Sequence, residues 1–210
     1  MSGRTEIRAF KFNQMQDSSS LAAVLLEADG TRILCKVKAE ISKDPLLSSR
    51  RNAKVRVSLS GDDTADLQMT NRIENVLSQL IPADALEKIQ LGVYFEVLAV
   101  DGSLVDFCLN LALYTMMLGN VPVKDTVASC TCILSKDDQL LIDPTSDELK
   151  EAKGRVRLIV SSQKEKLVDF EVVGLINGEP DILRQCTVLS MSAAKALANN
   201  ILQRVITQTE

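Results

Sequence analysis

The chain predicts an α+β fold, on three observations. Apolar runs recur in pairs around short polar turns, as hairpins do. Two long segments carry apolar residues at helical spacing. No clear series of parallel crossovers and no linker rich in Pro, Gly or Ser divides the 210 residues, so residues 1–210 read as a single domain around one core.

The elements follow in order. Residues 7–12 alternate as a short strand, and the polar stretch 13–20 reads as a turn. Residues 21–26 and 33–37 flank Glu27-Ala28-Asp29-Gly30-Thr31, and an Asp-Gly step between two apolar runs is a strong hairpin signal. In residues 54–59, Val55, Val57 and Leu59 alternate with polar side chains, as in a half-exposed strand. Leu67, Ile73, Val76, Leu77 and Leu80 then form the apolar side of a helix over residues 65–81, which Pro82 ends. Residues 89–100 read as a long, largely buried strand.

Asp101-Gly102-Ser103 offers a turn and an N-cap. The segment 104–118 that follows has one charge, Asp106, and is apolar nearly all round, which predicts a helix covered on most sides. Gly119 and Asn120 stand at its C-cap. Residues 126–134 and 140–142 form a hairpin around Lys136-Asp137-Asp138, and residues 155–161 and 166–176 form another. Leu183, Cys186, Leu189, Ala193, Leu197 and Ile201 place a helix over residues 182–205.

Composition narrows the chemistry. The formal charge of −4 provides no general attraction for nucleic acid or anionic lipid, so any RNA contact has to come from a local cluster. Without histidine, Ser-His and Cys-His nucleophile pairs and imidazole metal sites are excluded. Aromatic residues are 3% of the chain, too few for an extended base-stacking platform. Residues 1–6 lack the apolar core of a secretory signal, and no run suits a membrane span. The five cysteines are odd in number and scattered in apolar surroundings, as buried free thiols are. Together these predict a soluble, intracellular protein without membrane association.

Four segments, in register over nearly the whole chain, carry a resemblance. They are residues 20–37 with Asp29-Gly30-Thr31, the run Val97-Leu98-Ala99-Val100-Asp101-Gly102-Ser103-Leu104, the exit Asn120-Val121-Pro122-Val123, and Leu140-Leu141-Ile142-Asp143-Pro144-Thr145-Ser146-Asp147-Glu148. In this order they resemble the RNase PH-like proteins, and the last, with Lys150-Glu151-Ala152, is similar to one small-subunit branch of the eukaryotic RNA exosome ring. The resemblance implies the RNase PH-like fold (ribosomal protein S5 domain 2-like), with two β-sheets and packed helices. It also implies a hetero-hexameric ring with other RNase PH-like exosome subunits, S1/KH-type cap subunits on one face, and RNA as the cargo. The compartments it implies are nucleus and nucleolus, and also cytoplasm.

Active members of that family cleave RNA by phosphorolysis, which needs cations to hold phosphate and a pair of carboxylates near the scissile linkage. Aligned on the resemblance, the arginine pair falls on Thr64-Ala65, within a stretch holding Asp62, Asp63 and Asp66. The two aspartates, counted from Asp143, fall on Leu149 and Arg155, and a small slip brings Lys153 or Gly154 to the second position. No catalytic residue, cofactor or metal site is therefore expected, and the chain reads as a structural ring subunit that guides RNA towards a separate nuclease. Its acids Asp147, Glu148 and Glu151 are expected to face water on a helical turn.

Arg50, Arg51, Lys54 and Arg56 are the densest basic cluster and the expected RNA contacts, holding phosphates without reading sequence. Lys153, Arg155 and Arg157 are expected on an exposed strand edge or at a partner contact. Cys130 and Cys132 share one strand face but lack a second ligand pair, so core packing is expected of them. Tyr114, Met116 and Met117 are expected in the core. The rival readings are another small-type ring subunit, a homodimeric metal-dependent ribonuclease built on Asp147, Glu148 and Glu151, and a binding module of similar fold outside the exosome.

Overall fold

A computed structural model describes residues 4–41, 55–61, 67–82, 85, 89–163 and 166–209. The first half folds as strands β1 (Phe10–Met15), β2 (Ala22–Ala28), β3 (Thr31–Ile41) and β4 (Val55–Ser60), helix α1 (Leu67–Leu80) and strand β5 (Ile89–Ala99). Helix α2 (Leu104–Leu118) leads into strands β6 (Val127–Leu134) and β7 (Leu140–Ile142) and the short helix α3 (Ser146–Glu151). Strands β8 (Gly154–Ser161) and β9 (Leu167–Gly174), a 3-10 turn over Leu175–Gly178 and helix α4 (Pro180–Thr209) complete the described chain.

The strands form two sheets, ordered β1-β2-β3-β5-β4 and β7-β6-β8-β9. The Asp29-Gly30 turn is the hairpin between β2 and β3, with Gly30 at φ +68°. Every pairing is antiparallel except β4 with β5, which run parallel and are joined through α1. Among the described residues this is one crossover and not a series, in keeping with the sequence reading, which did not single it out. A half-exposed edge strand has the same alternation in either direction, so its periodicity does not encode the sense of pairing. The polar stretch 13–20 is corrected. Residues 13–15 continue β1, and Asn13 donates a hydrogen bond to Glu27 of β2 at 2.7 Å.

Helix α2 packs against β2 and β3 of one sheet and β6 of the other. From Val105 to Met116 every residue is buried, which accounts for a helix with one charge. Leu111 and Leu113 are fully enclosed, and each such side chain contributes about 2–3 kcal/mol by leaving water. Tyr114 stacks on Phe12 of β1 with centroids 4.1 Å apart, and Arg204 of α4 lies 5.0 Å over the Phe10 ring. All five cysteines are buried and free, Cys130 and Cys132 on β6 among them. No helix among the described residues is long and apolar enough to cross a membrane.

Strand β7 pairs only with Cys132–Leu134, which leaves the β6 edge open at Ser129. The Asn110 side chain closes it, its amide donating to the Ser129 carbonyl at 3.1 Å while its oxygen accepts from the Ser129 N–H at 2.8 Å. A side-chain amide thus replaces a strand neighbour and anchors α2 to the second sheet.

Candidate functional site

Two loops bring the start of α2 against the start of α3. Gly102 and Ser103 have φ of +76° and +47°, and a Cβ at Gly102 would lie 2.2 Å from the Pro144 carbonyl oxygen. A glycine is what permits so close an approach. Ser103 caps α2 by position alone. Its hydroxyl donates to the Pro144 carbonyl at 3.2 Å instead of accepting from the helix. The Ser146 N–H donates to Asp101 at 2.8 Å, which fastens the second loop to the first.

Beneath the loops lies an ion pair that sequence reading did not anticipate. Arg8 grips Asp143 through both ends of its carboxylate, Nε to Oδ2 at 3.0 Å and Nη2 to Oδ1 at 2.9 Å, and also donates to the Asp101 carbonyl at 2.9 Å. Both side chains are more than nine-tenths buried. Arg4 makes a parallel clamp on Glu148, with contacts of 2.6 and 3.2 Å. Glu148 also completes a capping box with Thr145. The expectation that Glu148 faces water is thereby corrected. The Glu at the third position of a capping box is drawn back to the helix start, where Arg4 finds it. Asp147 and Glu151 do face solvent, beside Lys150 and Lys136.

A cleft of about 540 Å³ opens between α1, the start of α2, α3 and the second sheet. Its charged lining is Arg72, Lys150, Arg155, Arg157 and Glu171, and Leu149 lies among them. Glu171 is the hub. It meets Arg72 at 2.7 Å and Arg157 at 2.8 Å, with Arg155 at 3.9 Å. Arg72 also pairs with Asp169 at 2.8 Å, and Arg157 with Asp106 at 3.4 Å. Burial alone would push the Glu171 carboxyl up, but Arg157, Arg72 and Arg155 outweigh it and hold it below the usual glutamate range. Asp106 goes the other way. It is fully enclosed, and burial raises its carboxyl despite Arg157 and a short hydrogen bond from Ser129.

Arg72 and Arg157 are each shared between two carboxylates. Among the described residues, the least committed cations of the cleft are Arg155, whose Nε has no hydrogen-bond partner, and Lys150, which pairs with exposed Asp147. Among the described residues, no three carboxylates or thiols gather closely enough to hold a metal ion.

Leu149 and Arg155, the positions where the resemblance seeks aspartates, both line this cleft. Arg155 and Arg157 do not occupy the exposed strand edge expected of them. β8 is an inner strand between β6 and β9, and Arg157 is 8% exposed. Their alternation was legible, but acids on β9 and α2 turn the polar face inward. Of the expected RNA contacts, Arg56 is exposed at the start of β4. Arg50, Arg51 and Lys54 lie outside the described residues, as do Thr64 and Ala65. Sequence reading missed Arg4, Arg8, Arg72, Asp169 and Glu171. Asp106 did leave a signal, as the one charge in an apolar helix.

Comparison with known proteins now adds to this geometry. Residues 125–171 match the 3' exoribonuclease family, domain 2, a span that includes Leu149, Arg155, Arg157, Asp169 and Glu171. Exosome complex component ski6 of Schizosaccharomyces pombe is 23% identical over 152 residues, 65% of this chain. The chain spans 62% of that relative's length. Among solved structures, rice (Oryza sativa) Rrp46 superposes with a TM-score of 0.82 at 13% identity, over 97% of this chain and 98% of the rice chain. An archaeal exosome core gives 0.76 at 16% identity, over 95% and 89% of the two chains. An Archaeoglobus fulgidus exosome with RNA bound to the active site gives 0.70 at 15%, over 93% and 89%. The fold is therefore RNase PH-like, an α+β arrangement of two sheets with packed helices.

Proposed function

We propose that this chain is a non-catalytic RNase PH-like subunit of an exosome core ring, of the Rrp46 type, which helps assemble the ring and guide RNA through its channel. The single observation that carries the reading is the ion-pair network of the cleft. Glu171 holds Arg72, Arg155 and Arg157 together, while Leu149 and Arg155 stand where phosphorolytic relatives are expected to carry aspartates. A site of that design spends its cations on its own acids, and among the described residues it offers no free carboxylate pair for acid–base chemistry. The likeness to ski6 and to the exosome structures supports the ring assignment.

On this reading its partners are other RNase PH-like subunits in a hetero-hexamer, S1/KH-type cap subunits, and RNA. It needs no cofactor, and it works in nucleus and nucleolus as well as cytoplasm. Arg50, Arg51, Lys54 and Arg56 contact RNA phosphates near the channel. Affinity capture of the tagged full chain from its native cell extract, read by mass spectrometry, tests the assembly. Recovery of five further RNase PH-like chains with cap proteins is the expected result. A homo-oligomer free of other RNase PH-like chains would refute it.

A further inference from the structure

The outward face of the first sheet carries an arrangement that the cleft does not explain. On β5 the backbone is bare at Gly92, and the side chain of Tyr94 folds back over it. A Cβ at residue 92 would come within 2.6 Å of the Tyr94 ring carbon Cε2 and 2.9 Å of its hydroxyl oxygen. The ring therefore lies against the sheet surface, where any other residue would lift it. Its hydroxyl makes a short hydrogen bond to Glu40 on β3, which pins the far end. Flat, pinned and only half-buried, the ring has one face turned outwards.

The neighbours are cations. Pairing places Lys38 of β3 and Arg56 of β4 directly beside Gly92, one on each side. Lys38 Nζ lies over the Tyr94 ring, 5.8 Å from its centre, so a stacking base takes the place of this cation. Neither Lys38 nor Arg56 pairs with a carboxylate among the described residues. The acids nearby are already committed, Glu40 to the Tyr94 hydroxyl, Asp17 to Lys36 and Glu27 to Arg32. Glu96 is exposed on the same face, one residue row beyond Tyr94 and two from Gly92, on the side away from Lys38 and Arg56. In a chain of net charge −4, two cations without a carboxylate partner among the described residues, flanking one flat aromatic ring, form a locally cationic stacking site. The pattern suits nucleic acid better than protein. The rows around the ring hold Lys36, Lys38, Arg56 and Ser58, without the apolar anchors on which protein interfaces depend. Arg56 also continues directly from the basic segment that holds Arg50, Arg51 and Lys54.

We infer that this face binds single-stranded RNA, with one base stacked on Tyr94 and the adjoining phosphates held by Lys38 and Arg56. The inference rests on the RNA-guiding role proposed above and extends it from a basic loop to a defined aromatic contact. Stacking on a tyrosine accepts any base, so the contact serves passage of RNA rather than its selection.

Fluorescence anisotropy with the full chain and a labelled oligouridylate of about ten nucleotides tests it. Tyr94→Ala is expected to weaken binding about tenfold, the scale of one lost base stack, while Tyr94→Phe, which keeps the ring but loses its bond to Glu40, should fall between Tyr94→Ala and wild type. An abasic oligomer of the same length isolates stacking, because it should bind wild type and Tyr94→Ala equally. Unchanged binding of oligouridylate by Tyr94→Ala overturns the inference. If Arg50→Glu with Arg51→Glu abolishes binding and Tyr94→Ala does not alter it, the loop reading stands and this one falls. If Tyr94→Ala alone weakens binding, the aromatic contact stands and the loop reading falls. A wild-type chain that fails to bind the probe even at low salt overturns both.

Discussion

Asp143→Ala is expected to cost about 3–5 kcal/mol of folding stability, the range for leaving one partner of a buried ion pair alone. Arg8 loses both of its contacts to the Asp143 carboxylate and keeps only a longer one, 3.5 Å, to the more exposed Asp101, and its own backbone N–H loses an acceptor at 3.0 Å. The guanidinium cannot turn to water, since its side chain is 9% exposed. The pair also joins distant parts of the chain. Arg8 precedes β1, and Asp143 holds a left-handed φ of +52° at the loop that starts α3. Urea unfolding measures the loss as a lower midpoint. In a double-mutant cycle, Arg8→Ala with Asp143→Ala should cost clearly less than the sum of the two single changes, because removing both members leaves no buried charge unpaired. Strict additivity would mean that the pair contributes nothing beyond its separate parts.

Glu171→Ala should have the next largest effect, about 2–3 kcal/mol. That is below the buried-pair range because its side chain is 23% exposed and water screens part of the loss. Removing it sets three arginines against one another across the cleft, with Asp169 and Asp106 left to answer them. The same residue fixes a pH dependence. Glu171 and Glu148 are both held below the ordinary glutamate value, each by arginine contacts that outweigh the opposing effect of burial. The unfolded chain therefore takes up their protons at a higher pH than the folded chain does. Their stabilisation is complete above the unfolded value, about pH 4.3, and is lost as pH falls through the depressed folded values. Wild type should lose stability steeply in that acid window, and Glu171→Ala should show a shallower fall. Parallel acid-unfolding curves for the two would contradict the hub role of Glu171.

Much of the fold was legible because periodicity speaks directly about burial. The uniform apolarity of residues 104–118 marked a helix covered on most sides, which two sheets and α4 enclose, and Asp29-Gly30 marked a hairpin. What periodicity cannot carry is the direction of an edge strand, so the parallel pairing of β4 with β5 was missed. The site divides the same way. Leu149 and Arg155, singled out by counting from Asp143, both line the cleft, since spacing along one local segment survives folding. Glu171, Asp169 and Arg72 could not, because their meeting depends on β9 and α1 approaching across the chain. Arg157 shows the consequence. An alternating Arg-Val-Arg-Leu run reads as a wet strand face until the acid that dries it is found elsewhere.

The central claim is that the cleft is catalytically silent, and the most direct test is phosphorolysis by the purified full chain. RNA labelled near its 5' end is incubated with excess inorganic phosphate and divalent cation, and both its length and the release of nucleoside diphosphates are followed. Unchanged RNA and no nucleoside diphosphate is the expected result, with or without phosphate. Phosphate-dependent shortening that releases nucleoside diphosphates, and that disappears in Arg155→Ala, would contradict it and make the arginines of the cleft a working phosphate site.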